Sequence, residues 1–194
     1  MKLTFQPWLL IIVNALYVLS FGIYYVSIKN FEFLWYVFVL VFFFALIGTT
    51  LHKTQLPAWL LWLLSLWGAL HMAGGGIPVE GSVLYAYQLV HLFGSGESFV
   101  LKFDQVVHFY GFFVATLVVW HLLRPYVLNP YAFPVLFVTL CAGIGLGAIN
   151  EVVEFAAVVA APETGVGGYF NTAIDLVANM IGATAATFFI YIRR

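Results

Sequence analysis

An acid and an imidazole four residues apart, Asp104 and His108, open one of the long apolar runs of this sequence. On a helix, positions i and i+4 share a face about 6 Å apart along the axis, so both side chains address one object. A carboxylate beside an imidazole supports two kinds of chemistry: proton transfer near neutral pH, and ligation of a divalent ion. Three other apolar runs carry groups of the same type. Glu151 and Glu154, preceded by Asn150, lie late in one; Asn171, Asp175, Asn179 and Gly182 fall at i, i+4, i+8 and i+11 early in another; His71 closes a third.

The elements that must position these groups are membrane spans. Hydrophobic residues make up 64% of the 194-residue chain and charged ones 8%, against about 25% charged in a soluble domain. The predicted class is an all-α, polytopic membrane helix bundle. Seven basic residues against eight acidic ones point to no nucleic-acid partner and no polybasic lipid-binding segment. The single Cys141 excludes an intrachain disulfide and a cysteine-built metal site. Lys2 precedes an apolar run that no small-residue cleavage pattern follows, so the first run reads as a retained span.

Spans, each needing about 20 apolar residues, are expected near 6–27, 33–51, 57–73, 103–123, 132–160 and 171–192, as one integral membrane domain over 1–194. The long connection 74–102 carries at 82–93 a segment too short to cross, read as an interfacial or re-entrant helix. Lys2, Lys53, Arg124, Arg193 and Arg194 fall on the side of the termini, against Lys29 and Lys102 on the other. Glu32, Glu80, Glu97 and Glu163 also fall on that other side. The positive-inside rule then makes both termini cytoplasmic.

Alternate spans run in opposite directions, so late positions in the third and fifth and early ones in the fourth and sixth come to one depth. His71, Asp104, His108, Glu151, Glu154, Asn171 and Asp175 form a single polar layer near the outer face, and small residues such as Gly143 and Gly147 turn these faces into the bundle. Four carboxylates in a low-dielectric site require protons or a cation. The set Asp104, His108, Glu151, Glu154, Asn171 and Asp175 suits a divalent ion. Its oxygens favour Mg, Ca or Mn, and imidazole nitrogen admits Zn or Fe. Taken singly, Asp104 reads equally well as the N-cap of its span, Asn14 and Asn179 as interhelical hydrogen bonds, and Gly74-Gly75-Gly76 as a helix end. The convergence of seven groups from four helices is what favours a site.

The pattern Asp104-x-x-x-His108-Phe109, then Asn150-Glu151-x-x-Glu154, then Asn171-x-x-x-Asp175-x-x-x-Asn179-x-x-Gly182-Ala183 resembles the VanZ-like membrane proteins. It more closely resembles the YjdF-like group of bacterial inner-membrane proteins, where His71-Met72-x-Gly74-Gly75 also has a counterpart. The match covers roughly residues 65–190. VanZ-like proteins are associated with glycopeptide-antibiotic resistance, and the grouping has been proposed to resemble phosphatidylserine-synthase-type enzymes. The resemblance implies a bacterial inner-membrane location and chemistry on lipid head groups. Gln105 stands where these families often have Lys or Arg, and Asn171 where an aspartate often precedes the Thr.

The leading expectation is a membrane-embedded, metal-dependent enzyme acting on a lipid-linked phosphoester or headgroup substrate near the outer leaflet, with membrane lipids as its surroundings. In it Asp104, Glu151, Glu154 and Asp175 hold the ion, His108 is base or nucleophile, and His71 is the counterpart acid or a further ligand. Two rivals carry the same residues: an ion- or proton-coupled transporter, and a non-catalytic membrane partner subunit. A transporter predicts polar groups continuing into the cytoplasmic half.

Overall fold

The computed structural model describes residues 7–91, 100–160 and 168–194. Six helices are long and apolar enough to cross a membrane: α1 (Pro7–Ser27), α2 (Phe31–Thr54), α3 (Ala58–Gly76), α4 (Phe103–Leu123), α5 (Phe133–Ala160) and α6 (Tyr169–Ile192). Their ends follow local chemistry. Asn30 caps α2, its side chain accepting from the Phe33 N–H at 3.2 Å, and Gln55 closes it in the left-handed region at φ 50°. Pro57 precedes α3, and Pro125 follows α4 in a single 3-10 turn. Large apolar side chains such as Ile23, Phe38, Phe137 and Phe188 stay exposed along the helices, as surfaces that face lipid do.

The described residues form two compact units, the first of them within Met1–Leu84. Here Asn14 joins helices as the sequence suggests: its side-chain oxygen accepts from Tyr17 Oη at 2.6 Å and from Ser65 Oγ of α3 at 3.0 Å. The glycine run departs from expectation. Gly74, Gly75 and Gly76 are buried within the last turn of α3 rather than beyond it. A methyl at Gly75 would overlap the Phe33 ring, and one at Gly76 would meet Phe21 at 2.6 Å and Tyr25 Oη at 2.9 Å. Aromatic mass from α1 and α2 therefore explains these glycines better than chain termination does.

The connection after α3 is also not the helix expected at 82–93. Pro78–Val79 (β1) pairs antiparallel with Ser82–Val83 (β2) around Glu80 and Gly81, both at positive φ, 50° and 84°. Two successive positive φ values make the tight turn that matches strand twist. Leu84–Ala86 is a 3-10 turn, and Gln88–His91 (β3) pairs antiparallel with Val100–Lys102 (β4). The β-branched and aromatic residues Val79, Val83, Tyr87 and Val90 favour extended backbone over helix. Residues 92–93, Glu97 and Glu163 lie outside the described residues.

The second unit, Tyr85–Arg194, holds β3, β4, α4, α5 and α6. Small residues let its helices meet backbone to backbone. A methyl at Gly182 of α6 would collide with the Phe109 carbonyl oxygen of α4 and stand 3.1 Å from the Phe113 amide nitrogen. On α5, Gly143 lies against Thr116 of α4 and Ala183 of α6, while Gly147 lies against Asn179. In hydrocarbon, where no hydrophobic effect drives helices together, such close approach supplies the dispersion contact that does. Gly182→Ala is therefore expected to cost about 1–3 kcal/mol and lower the thermal midpoint of the purified protein. Gly145→Ala, where nothing lies within 4 Å of the added carbon, should leave the midpoint unchanged; equal effects would mean that the α4/α6 contact is not tight.

Candidate functional site

The site begins at the first turn of α4. Lys102, in extended backbone, is the cap residue, so Asp104 is the second helical residue and not the cap that its type allowed. Capping falls to Gln105, whose side-chain oxygen accepts the Lys102 N–H at 2.8 Å. The same carboxamide donates through Nε2 to Asp175 Oδ1 of α6 at 2.7 Å. One buried side chain thus closes the helix start and ties it to an acid on another helix. With Asp104 relieved of capping, its carboxylate turns along the helix face toward His108.

His108 is the centre of the cluster. Its Nε2 lies 3.5 Å from Asp104 Oδ1 and 3.7 Å from Glu154 Oε1, and its Nδ1 lies 3.4 Å from Glu151 Oε1. Asn179 Oδ1 stands 3.0 Å from Nδ1, and Asn179 Nδ2 donates to Glu151 Oε1 at 3.2 Å. Asn171 Nδ2 donates to Asp175 Oδ2 at 2.5 Å and to Asp104 Oδ2 at 3.3 Å. Asn150 Nδ2 donates to Glu154 Oε1 at 2.8 Å, an i, i+4 pair on α5. Gln105, His108, Glu151, Asp175 and Asn179 are buried; Asp104 and Glu154 form a rim with 16% and 12% of their side-chain surface exposed.

These contacts account for a proton on one ring nitrogen of His108. Asn179 gives its N–H to Glu151, so it presents its carbonyl oxygen to Nδ1, and a carbonyl only accepts. Nδ1 therefore carries a proton, and Nε2 faces two carboxylates. Four carboxylates around one imidazole leave negative charge uncompensated even when the ring is charged. Among the described residues no Lys or Arg side chain makes an ion pair, with these acids or elsewhere. Glu151 Oε2 is buried with no hydrogen-bond partner. A buried carboxylate oxygen without a partner costs several kcal/mol, which a proton or a cation at that position removes. Two groups have ligand atoms within 4.8 Å of one another, Asp104 with His108 and Asp175, and His108 with Glu151 and Glu154.

Six of the seven residues singled out from the sequence, Asp104, His108, Glu151, Glu154, Asn171 and Asp175, thus meet in the second unit. His71 belongs to the first, where its ring meets Tyr36 edge-on with centroids 5.1 Å apart. Sequence reasoning undervalued three carboxamides. Asn179 read as helix packing, Gln105 as the loss of a cation, and Asn150 as a neighbour of Glu151; each donates to a carboxylate. Their signal was available in the helix spacing: Asn150 lies four residues before Glu154, and Asn179 four after Asp175.

A family model described as "Predicted membrane protein (DUF2238)" matches residues 7–194. No curated protein and no solved structure matches the chain.

Since Gln105 bonds a carboxylate, Gln105→Ala should cost about 1.5–3 kcal/mol, read as a lower thermal midpoint. Combining it with Asp175→Asn, which removes the stranded charge, should cost less than the sum of the single changes. Strict additivity would show that the two side chains do not interact.

Proposed function

Since the chain belongs to the predicted membrane protein family DUF2238, we propose a function that starts from a multi-pass membrane protein: a membrane-embedded, metal-dependent enzyme acting on a lipid-linked phosphoester or headgroup substrate. The observation that carries the reading is the buried carboxylate cluster around His108, with Glu151 Oε2 unpartnered at its heart. Polar burial of this extent within spans is costly and is characteristic of functional sites. The ligand pool is Asp104, His108, Glu151, Glu154, Asn171 and Asp175, a mixture of oxygens and one imidazole nitrogen that fits a divalent ion. Such an ion would offset the acids and stabilise charge developing on phosphoryl oxygens.

The chain's own groups supply the rest. His108 serves through Nε2, as base toward an attacking hydroxyl or as ligand. Asp104 and Glu154, at the rim, are the groups a substrate would reach first. His71 as the counterpart acid rests on the sequence pattern alone.

Depth supports a substrate at the membrane surface. The cluster occupies the starts of α4 and α6 and the last third of α5. The opposite end of the unit carries Arg124 over the Trp120 ring at 4.9 Å, Arg193 over Phe189 at 5.2 Å and Arg194 over Tyr191 at 4.5 Å. With basic residues facing the cytoplasm, both termini are cytoplasmic and the site lies at the outer leaflet of a bacterial inner membrane, with lipids as neighbours. The transporter reading is less well supported. Toward the arginine end, Thr116, Thr139, Thr184 and Thr187 each bond a carbonyl of their own helix, leaving no relay of free polar groups among them.

The test is turnover of lipid-linked phosphoesters by purified protein before and after chelation. Chelation, His108→Ala and Glu154→Ala should each reduce the rate by about 100-fold or more. Protein that carries no metal and keeps full activity in both variants would overturn the assignment.

A further inference from the structure

The cluster offers more oxygen donors than one ion uses, and its hydrogen bonds divide them by helix. Asp175, fully buried, has both carboxylate oxygens engaged by carboxamide N–H groups, Oδ1 by Gln105 at 2.7 Å and Oδ2 by Asn171 at 2.5 Å. Each oxygen thus has one lone pair committed to a buried amide, which fixes the carboxylate's orientation between α4 and α6. Glu151 is the opposite case. One oxygen accepts from Asn179 and lies 3.4 Å from the His108 ring; the other is buried with nothing to bond.

The two helices that carry the remaining acids present matching pairs, Asp104-x-x-x-His108 on α4 and Glu151-x-x-Glu154 on α5. Nε2 of His108 stands 3.5 Å from Asp104 Oδ1 and 3.7 Å from Glu154 Oε1. Two carboxylates facing one ring nitrogen at such separations call for something positive there, a proton on Nε2 or a cation in its place. A tetrahedral ion with arms of about 2.1 Å has ligand–ligand edges of about 3.4 Å. The two separations from Nε2 are close to two edges of such a site, and ligand atoms of His108, Glu151 and Glu154 lie within 4.8 Å of one another.

We propose that α4 and α5 alone ligate a divalent cation, through Asp104, His108 Nε2, Glu151 and Glu154, and that α6 positions these ligands without touching the ion. Asp175 is then a fixed charge outside the ligand set. Asn179 is a positioning residue: it holds the Nδ1–H tautomer that frees Nε2, and it orients Glu151. One nitrogen and three carboxylates suit a first-row ion such as Mn²⁺, Fe²⁺ or Zn²⁺. The inference rests on the metal-dependent reading above and divides its ligand pool.

The experiment uses full-length protein in detergent, stripped with chelator and titrated with Mn²⁺, the free ion being read by electron paramagnetic resonance. Wild type should bind one Mn²⁺ per chain. Glu151→Gln and Glu154→Gln should weaken binding by about 100-fold or more, beyond the about 10- to 100-fold that outer-shell changes cause. Asp175→Asn should retain one ion with at most the outer-shell loss, and Asn179→Ala should fall within it. Asp175→Ser replaces Asp175→Asn if the latter does not elute as folded protein. Nitrogen-15 histidine spectra of the Zn²⁺-loaded protein should show His108 protonated at Nδ1 and metal-bound at Nε2, and those of the metal-free Asn179→Ala protein a shift in the tautomer balance relative to metal-free wild type. Asp175→Asn losing the ion as fully as Glu151→Gln, or a proton on Nε2, would overturn the division between helices while leaving metal dependence standing. Wild type that binds neither Mn²⁺ nor Zn²⁺ would overturn both.

Discussion

Burying four carboxylates around one imidazole is the constraint on which the second unit depends. In water such a group would be inexpensive; within helices that cross hydrocarbon, each acid must find a donor, a proton or a cation. Four carboxamides meet part of that demand. Gln105 and Asn171 hold Asp175, Asn171 also reaches Asp104, Asn150 holds Glu154, and Asn179 holds Glu151 and the ring of His108. Neutral amides orient acids without cancelling their charge. The residual charge is what the proposed cation would offset.

Packing and chemistry are the same contact in this unit. Gly147 has no side chain because Asn179 occupies the space where a methyl would stand, 2.8 Å from the Asn179 Cβ. Gly182, one turn further along α6, brings that helix against the α4 backbone at Phe109, the residue after His108. The positions of Asn179 and His108 are therefore set by backbone approach and not by loops. A site built on rigid helices holds its geometry more closely than one built on flexible connections.

Much of this was legible in the sequence. Six spans followed from apolar runs and their punctuation, and the cluster followed from helical spacing combined with alternating span direction. What sequence could not give was partner choice. Asp104 suited an N-cap, but Gln105 took that role because its longer side chain reaches the Lys102 amide and still spans to Asp175. The glycines of α3 looked like a stop because the aromatic rings that require them lie some 40 to 55 residues earlier, at Phe21, Tyr25 and Phe33. The segment after α3 misled because Tyr, Leu and Val at mixed spacing serve a short amphipathic helix and a strand equally well; the Glu80-Gly81 turn was the discriminating signal.

Chain order adds a demand on biogenesis. Synthesis runs from the N-terminus, so α4 and α5 are made before α6 supplies Asn171, Asp175 and Asn179. Until then Asp104 lacks its amide from Asn171, and Glu151 lacks its amide from Asn179. Insertion of an acid at the middle of a span costs about 2.5–3.5 kcal/mol; the acids of the cluster lie toward the ends of their helices. The amides that α6 brings to these acids are thus made after the acids of α4 and α5 themselves.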